Sequence, residues 1–253
     1  MRNVFFIARR ELEAYFASPI GWIALCAFLL VTGFFFASMV GFFALQTTEF
    51  GMSPYQDIDL SQHLVAPFYS NTGLVLLMLC PALSMRLFAE DRRQRSLEML
   101  LTSPVRTVEI VLGKYFGGMG FVLVMLLATA HYPLILWWIG EPDLGVVISS
   151  YLALLGVAGS VMAVGLVASA ATESQMVAFV VSFVLSLLFW VASWADASAS
   201  GTLGEVLSYL SMLSHMDELG KGLLHVKDLV YYVSFIAVAL FATHQRVEAF
   251  RWR

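Results

Sequence analysis

The chain has 253 residues, of which 60% are hydrophobic, 14% aromatic and only 13% charged. That leaves too little polar surface for a water-soluble globule and places the chain in a bilayer. The net charge of −4 conceals a strong segregation by segment, and no basic face with interleaved aromatics is present, so no nucleic-acid partner is expected.

Residues 1–17 put Val4, Phe5, Ala8, Leu12, Tyr15 and Phe16 at helical spacing, with Arg2, Arg9, Arg10, Glu11 and Glu13 elsewhere around the axis. The pattern predicts an amphipathic helix lying at the membrane interface. Ser18-Pro19 ends it and starts the next helix, because Ser caps free N–H groups and Pro needs none at the first helical position. Residues 20–44 carry no charge, and at 1.5 Å per residue they reach about 37 Å, enough for a tilted crossing. The run is too long for the apolar core of a signal peptide, and acids precede it, so a retained span is expected. Cys26 and Cys80 fall inside apolar runs and read as core residues rather than a disulfide or metal pair.

Residues 45–70 hold Glu49, Asp57, Asp59 and His63 but no Lys or Arg, and Gly51, Pro54 and Pro67 interrupt them, as in a loop on the far side. A second span is predicted over 68–89. Residues 81–114 then concentrate six of the fourteen Lys and Arg residues, namely Arg86, Arg92, Arg93, Arg95, Arg106 and Lys114, and are expected to lie in water, with 90–113 as a loop. Inside that loop Leu97, Leu100 and Leu101 line one side of a short amphipathic turn, with Arg93, Glu98 and Thr102 around the rest. A solvated loop has no use for such leucines unless another protein covers them.

Ser103-Pro104 restarts the helix that feeds a third span, 115–139, whose end carries the headgroup-seeking pair Trp137-Trp138. Further spans are predicted over 146–170, 176–194 and 229–243, the last with residues from Leu223 onward available to it. Between the fifth and sixth, Leu203, Val206, Leu207, Leu210 and Leu213 keep helical spacing over too short a length to cross, so a helix on or in the outer leaflet is expected. Twelve of the fourteen Lys and Arg residues fall on one side of this arrangement, the exceptions being Lys221 and Lys227. The positive-inside rule makes that side, with both termini, cytoplasmic.

No span carries Asp, Glu or Lys in its predicted interior, so no ion-coupled relay is visible. His131 is the one ionisable exception and reads as a packing histidine bonded to a backbone carbonyl, ahead of a substrate ligand. Neither H-E-x-x-H nor G-x-S-x-G occurs. Gly113-Lys114 is not a phosphate loop, since Val108 stands at the first glycine and Tyr115 at the Ser or Thr, so the chain is expected to be non-catalytic and to bind no cofactor. Gly113/Gly117 and Gly165/Ser169 are small-xxx-small pairs that serve close helix contact within the chain or at a subunit interface.

Residues 81–114 resemble the signature of ABC-2 type permeases, the membrane subunits of ATP-binding cassette transporters, and are most similar to the gliding-motility-associated subfamily. Glu90, Arg93, Glu98, Leu100, Leu101, Thr102 and Pro104 stand where that pattern reads E-x-x-R-x-x-x-x-E-x-L-L-T-x-P, with Arg95 where glycine is usual. Residues 169–178 resemble a second family segment, S-x-x-x-x-N-Q-x-x-A, in which Ser174 replaces the Asn while Gln175 and Ala178 agree. Residues 214–234 resemble the subfamily's C-terminal part. The resemblance implies an all-α integral membrane protein with an elbow helix at 1–17, six spans, a coupling helix between the second and third, and short outer helices between the fifth and sixth. It also implies a bacterial inner-membrane location and a pair of identical or homologous permeases on a pair of ATPase subunits, which hold the ATP and magnesium. Leu97 to Leu101 would then be the lever that the ATPase pushes, with Glu90, Arg92, Arg93, Glu98, Thr102 and Pro104 around it and Glu173 and Gln175 as a second contact. Three alternatives stay open: loop charges that only anchor anionic lipid, an envelope machine that moves no solute, and a stand-alone channel or receptor.

Overall fold

The computed structural model describes residues 2–49, 64–94, 96, 105–139, 143–195, 202–222 and 224–251. It is all-helical among these residues, and six segments are long and apolar enough to cross a membrane. Helix α1 (Arg2–Ala17) is the amphipathic element, and α2 (Pro19–Glu49) forms span 1. Span 2 is α3 (Ala66–Ser84) followed by α4 (Arg86–Arg93), and span 3 is α5 (Thr107–Ala128) followed by α6 (His131–Ile139). Spans 4 and 5 are α7 (Leu144–Ala171) and α8 (Gln175–Val191). Two short helices, α9 (Thr202–Leu210) and α10 (Met212–Gly220), precede α11 (Val226–Arg251), which is span 6.

Span 4 is the axis of the bundle. In its most apolar 18-residue window 78% of the residues are buried, against 17% in span 1, 22% in span 5 and 28% in span 6, whose outward faces are left to lipid or another subunit. Small side chains make this central position possible. Gly156 lies under the Tyr232 ring, where an added Cβ would stand 2.6 Å from the nearest ring carbon, and a Cβ on Gly165 would collide with the Ser84 side chain. The Tyr115 hydroxyl donates to the Gly159 carbonyl at 3.2 Å, tying span 3 to the same axis. Span 1 is held from its inner face by Tyr132, whose ring lies 4.9 Å from Phe36 and whose hydroxyl donates to the Leu29 carbonyl at 3.2 Å.

The two broken spans have identifiable causes. In span 3, Pro133 has no N–H to offer the Thr129 carbonyl, which instead accepts from Tyr132 N–H at 3.0 Å, and the helix turns at Thr129–Ala130. His131 then bonds the Ala128 carbonyl through Nδ1 at 2.7 Å, the backbone bond expected of it, but within its own helix turn and with an exposed ring rather than one packed between helices. In span 2 the break at Met85 is filled from outside by Ser169 of α7, whose hydroxyl donates to the Met85 carbonyl at 2.8 Å and accepts from Phe88 and Ala89 N–H at 3.0 Å each. A side chain inserted into the helical ladder bends the helix at that point.

Four sequence expectations change. Helix α5 begins at Thr107, two turns before the predicted third span, so residues 107–113 are helix and not loop. The basic tail is no tail, because α11 continues to Arg251 and buries Val247. The outer segment is the pair of short helices that the resemblance implies, broken at Ser211, but α10 packs inward against spans 2, 4 and 5 with Met212, His215, Met216 and Leu219 buried, rather than lying on or in the leaflet. Cys80 is buried as expected, but Cys26 is exposed on the outward face of α2.

Gly113 and Gly117 seat α1 against α5. An added Cβ would stand 2.6 Å from Ile7 Cβ at Gly113 and 2.6 Å from Glu11 Cβ at Gly117, so this groove is filled from within the chain. Replacing Gly117 by Leu should cost about 1–3 kcal/mol of overpacking and lift α1 off. The expected readout is faster tryptic cleavage at the exposed Arg9 and Arg10. Gly41→Ala, where nothing lies within 4 Å of the new Cβ, should leave the rate unchanged.

Candidate functional site

One end of the bundle carries α1, the junction from span 2 to span 3, the turn between spans 4 and 5, and the end of α11. Its centre is Lys114, seven residues into α5 and 1% exposed. The Nζ lies 2.8 Å from Glu11 Oε1 of α1 and 2.7 Å from Asp91 Oδ2 of α4, and 5.3 Å above the Phe88 ring. Arg10 reaches the same Glu11 oxygen at 3.0 Å and the Ser96 hydroxyl donates to Asp91 Oδ1 at 3.1 Å, so two cations face two anions. Isolated burial of an ammonium costs several kcal/mol, and only close counter-charges offset it. Three helices are therefore held in one register by one side chain.

Lys114 is the main correction to the sequence reading. It belongs to the six basic residues expected in water, yet it is among the most buried side chains of the protein. Arg86 also leaves solvent in part, its guanidinium stacking 3.9 Å from the Tyr15 ring centroid while the Tyr15 hydroxyl donates to the Leu83 carbonyl at 2.8 Å. Burial pushes the Tyr15 hydroxyl far above its ordinary range, so it remains a neutral donor.

Arg92 does for the far side what Lys114 does for the near one. Its guanidinium donates to the Ala170 carbonyl and to Glu173 Oε1, each at 3.1 Å, and covers the Phe250 ring at 4.2 Å. The Ala170 carbonyl lies in the last turn of α7, where carbonyls lack intrahelical partners, so α4 caps span 4 as Ser169 of span 4 caps α4. The Thr107 hydroxyl donates to Glu248 of α11 at 2.6 Å, and Asn3 donates to Glu109 at 3.1 Å. Glu109 in turn accepts from the Arg106 backbone N–H at 3.2 Å, the return half of a capping box at the start of α5.

Of the predicted coupling residues, Glu90, Arg92 and Arg93 form the last turn of α4, and Glu173 and Gln175 come beside them from the turn between spans 4 and 5. Glu90 and Gln175 line a cleft of about 180 Å³ together with Tyr15, Ser18 and Arg86. Arg93 faces solvent, whereas Arg92 is engaged within the chain. Leu97, Glu98, Leu100, Leu101, Thr102 and Pro104 lie outside the described residues. Glu11 and Asp91 were not singled out from the sequence. The signal that could have found them is a lone lysine entering an apolar run, which demands carboxylates, and the acids of α1 and α4 were candidates.

The opposite end holds a second buried pair. Asp228 is fully buried in the first turn of α11 and meets His215 Nδ1 of α10 through Oδ1 at 2.6 Å, while His215 Nε2 meets the Tyr209 carbonyl at 3.0 Å. Tyr231 stacks on the imidazole at 4.0 Å and donates to the Leu210 carbonyl at 2.7 Å. Both residues were expected in a polar outer segment.

Lys114→Met leaves Glu11 and Asp91 facing each other with no cation between them and only Arg10 beside Glu11, and should cost about 3–5 kcal/mol, seen as a lower Tm in detergent. The neutral triple variant E11Q/D91N/K114M should recover most of that loss. Ser169→Ala should cost about 1–3 kcal/mol by orphaning the Phe88 and Ala89 N–H groups, with rescue by Ser169→Thr limited by space.

The family model for ABC-2 family transporter proteins matches residues 55–241, which run from the loop before span 2 into span 6. No curated protein matches the chain. With six apolar spans around a central fourth helix and this match over most of its length, the chain belongs to the ABC-2 transporter family and is a multi-pass membrane permease component.

Proposed function

We propose that this permease works with a separate ATP-binding cassette ATPase, which binds and hydrolyses ATP with magnesium, and that residues 95–104 form the element on which the ATPase acts. The observation that supports this reading is the way both flanks of that segment are anchored. On one side α4 is fixed by Asp91 to Lys114 and by Arg92 to Ala170 and Glu173. On the other, α5 is fixed by Lys114 to Glu11 and by Thr107 to Glu248. A push on a segment held this way moves spans 2 and 3 together with α1, span 4 and span 6, not a loose loop. Leu97, Leu100 and Leu101 supply the apolar contact, while Glu90, Arg93, Glu98, Thr102 and Pro104 set its register, with Glu173 and Gln175 beside them.

The count of basic residues supports a cytoplasmic side for this end and both termini, and the family resemblance supports a bacterial inner-membrane location. Pairing with a second, identical or homologous permease fits the exposed faces of spans 1, 5 and 6 and a core filled by span 4, which leaves a path for cargo at a subunit boundary and not inside one chain. The resemblance of residues 81–114 to the gliding-motility-associated subfamily supports the further reading that the permease moves an envelope substrate outward.

Replacing Leu100 and Leu101 together by Asp should abolish co-purification with the partner ATPase, while membrane insertion and Tm persist. Unchanged co-purification would remove the docking claim. Arg93→Ala should weaken assembly in a salt-dependent way, since exposed charges act through screened contacts.

A further inference from the structure

We infer that Glu218, His225 and Asp228 form a binding site for a divalent transition-metal ion, zinc by donor type, at the end of the bundle opposite Lys114. One ligand atom from each of the three lies within 4.8 Å of the others. Asp228 carries the argument. Its side chain is fully buried, Oδ1 is taken by His215, and Oδ2 has no hydrogen-bond partner among the described residues. An ionised oxygen buried without a donor is costly, and a cation is the ordinary solution. His225 Nδ1 stands 4.0 Å from that oxygen, and its half-exposed ring provides the route by which an ion enters.

The remaining ligand comes from the neighbouring helix. Glu218 lies in the last turn of α10, and the chain reverses through Gly222, at φ +82°, before His225 and Asp228 open α11. An ion there would bridge α10 to span 6 across the reversal. Glu218 is paired meanwhile with Lys227, Nζ to Oε2 at 2.6 Å, with both side chains about half exposed. The metal's charge would replace that of the ammonium at this carboxylate. One imidazole nitrogen with two carboxylate oxygens suits zinc, whereas calcium and magnesium take larger all-oxygen shells. Tetrahedral ligands at about 2.0 Å sit about 3.3 Å apart, so His225 and Glu218 need to swing by about 1 Å, which their exposure allows. His215 then serves as the partner that orients the ligating Asp228 from behind.

The test uses the full chain in lipid nanodiscs, purified without a histidine tag and titrated with zinc against a chromophoric chelator. One zinc ion per chain, with a rise in Tm, is expected. His225→Ala and Glu218→Gln should each weaken binding by about tenfold or more, and Lys227→Met should strengthen it. His225→Ala is the decisive variant, because its ring is half exposed and its Nδ1 stands 4.0 Å from Asp228, too far for a hydrogen bond whose loss would unfold the protein. Zinc bound as tightly by His225→Ala as by wild type, or no stoichiometric zinc in wild type, would overturn the inference. Displacement of zinc by millimolar magnesium or calcium would overturn the assignment to a transition metal.

Discussion

A buried ammonium must be neutralised where it sits, and Lys114 is neutralised by carboxylates from two other helices. Each of these three groups is tolerable inside the protein only while the other two stay in place. The elbow helix, the end of span 2 and the start of span 3 are therefore one block. The glycines at 113 and 117 belong to the same constraint, since they let α1 approach α5 closely enough for Glu11 to reach Lys114. Arg92 and Ser169 extend the block to span 4 through reciprocal capping, and Thr107 extends it to span 6.

The opposite end is organised by a different logic. There α10 turns back into the bundle, and His215 and Asp228 join it to the first turn of span 6. His215 lies between the Asp228 carboxylate and the Tyr209 carbonyl, one at each ring nitrogen, and so ties α9, α10 and α11 together. Surrounding tyrosines close the pair off, with Tyr232 donating to the Met212 carbonyl at 3.0 Å and Ser211 donating to the Trp190 carbonyl at 3.1 Å. Span 4 connects the two ends, because its small side chains let every neighbouring helix come close.

The six spans were legible because a charge-free run of membrane length has few other uses, and the Ser-Pro start of α2 fell where capping chemistry puts it. The amphipathic elbow was legible from the helical spacing of its apolar residues among charges. What the sequence hid depends on residues far apart meeting in space. Glu11, Asp91 and Lys114 are ordinary interfacial charges until the fold brings them together, and counting Lys114 with its basic neighbours wrongly placed it in water. The inward turn of α10 was hidden because leucine spacing shows that a face is buried without showing against what. In the C-terminal segment the visible arginines masked Val247, the buried residue that marks it as helix. The break of span 3 could have been read from Pro133, whereas that of span 2 comes from a serine over eighty residues away.

The central claim is that the Lys114 cluster makes a single mechanical unit out of three helices. Amide hydrogen exchange of the full chain, compared between wild type and Lys114→Met under conditions where both are folded, tests it directly. The account predicts that residues 2–17, 86–93 and 107–118 lose protection together. Loss confined to the turn around residue 114, with α1 and α4 as protected as before, would contradict it.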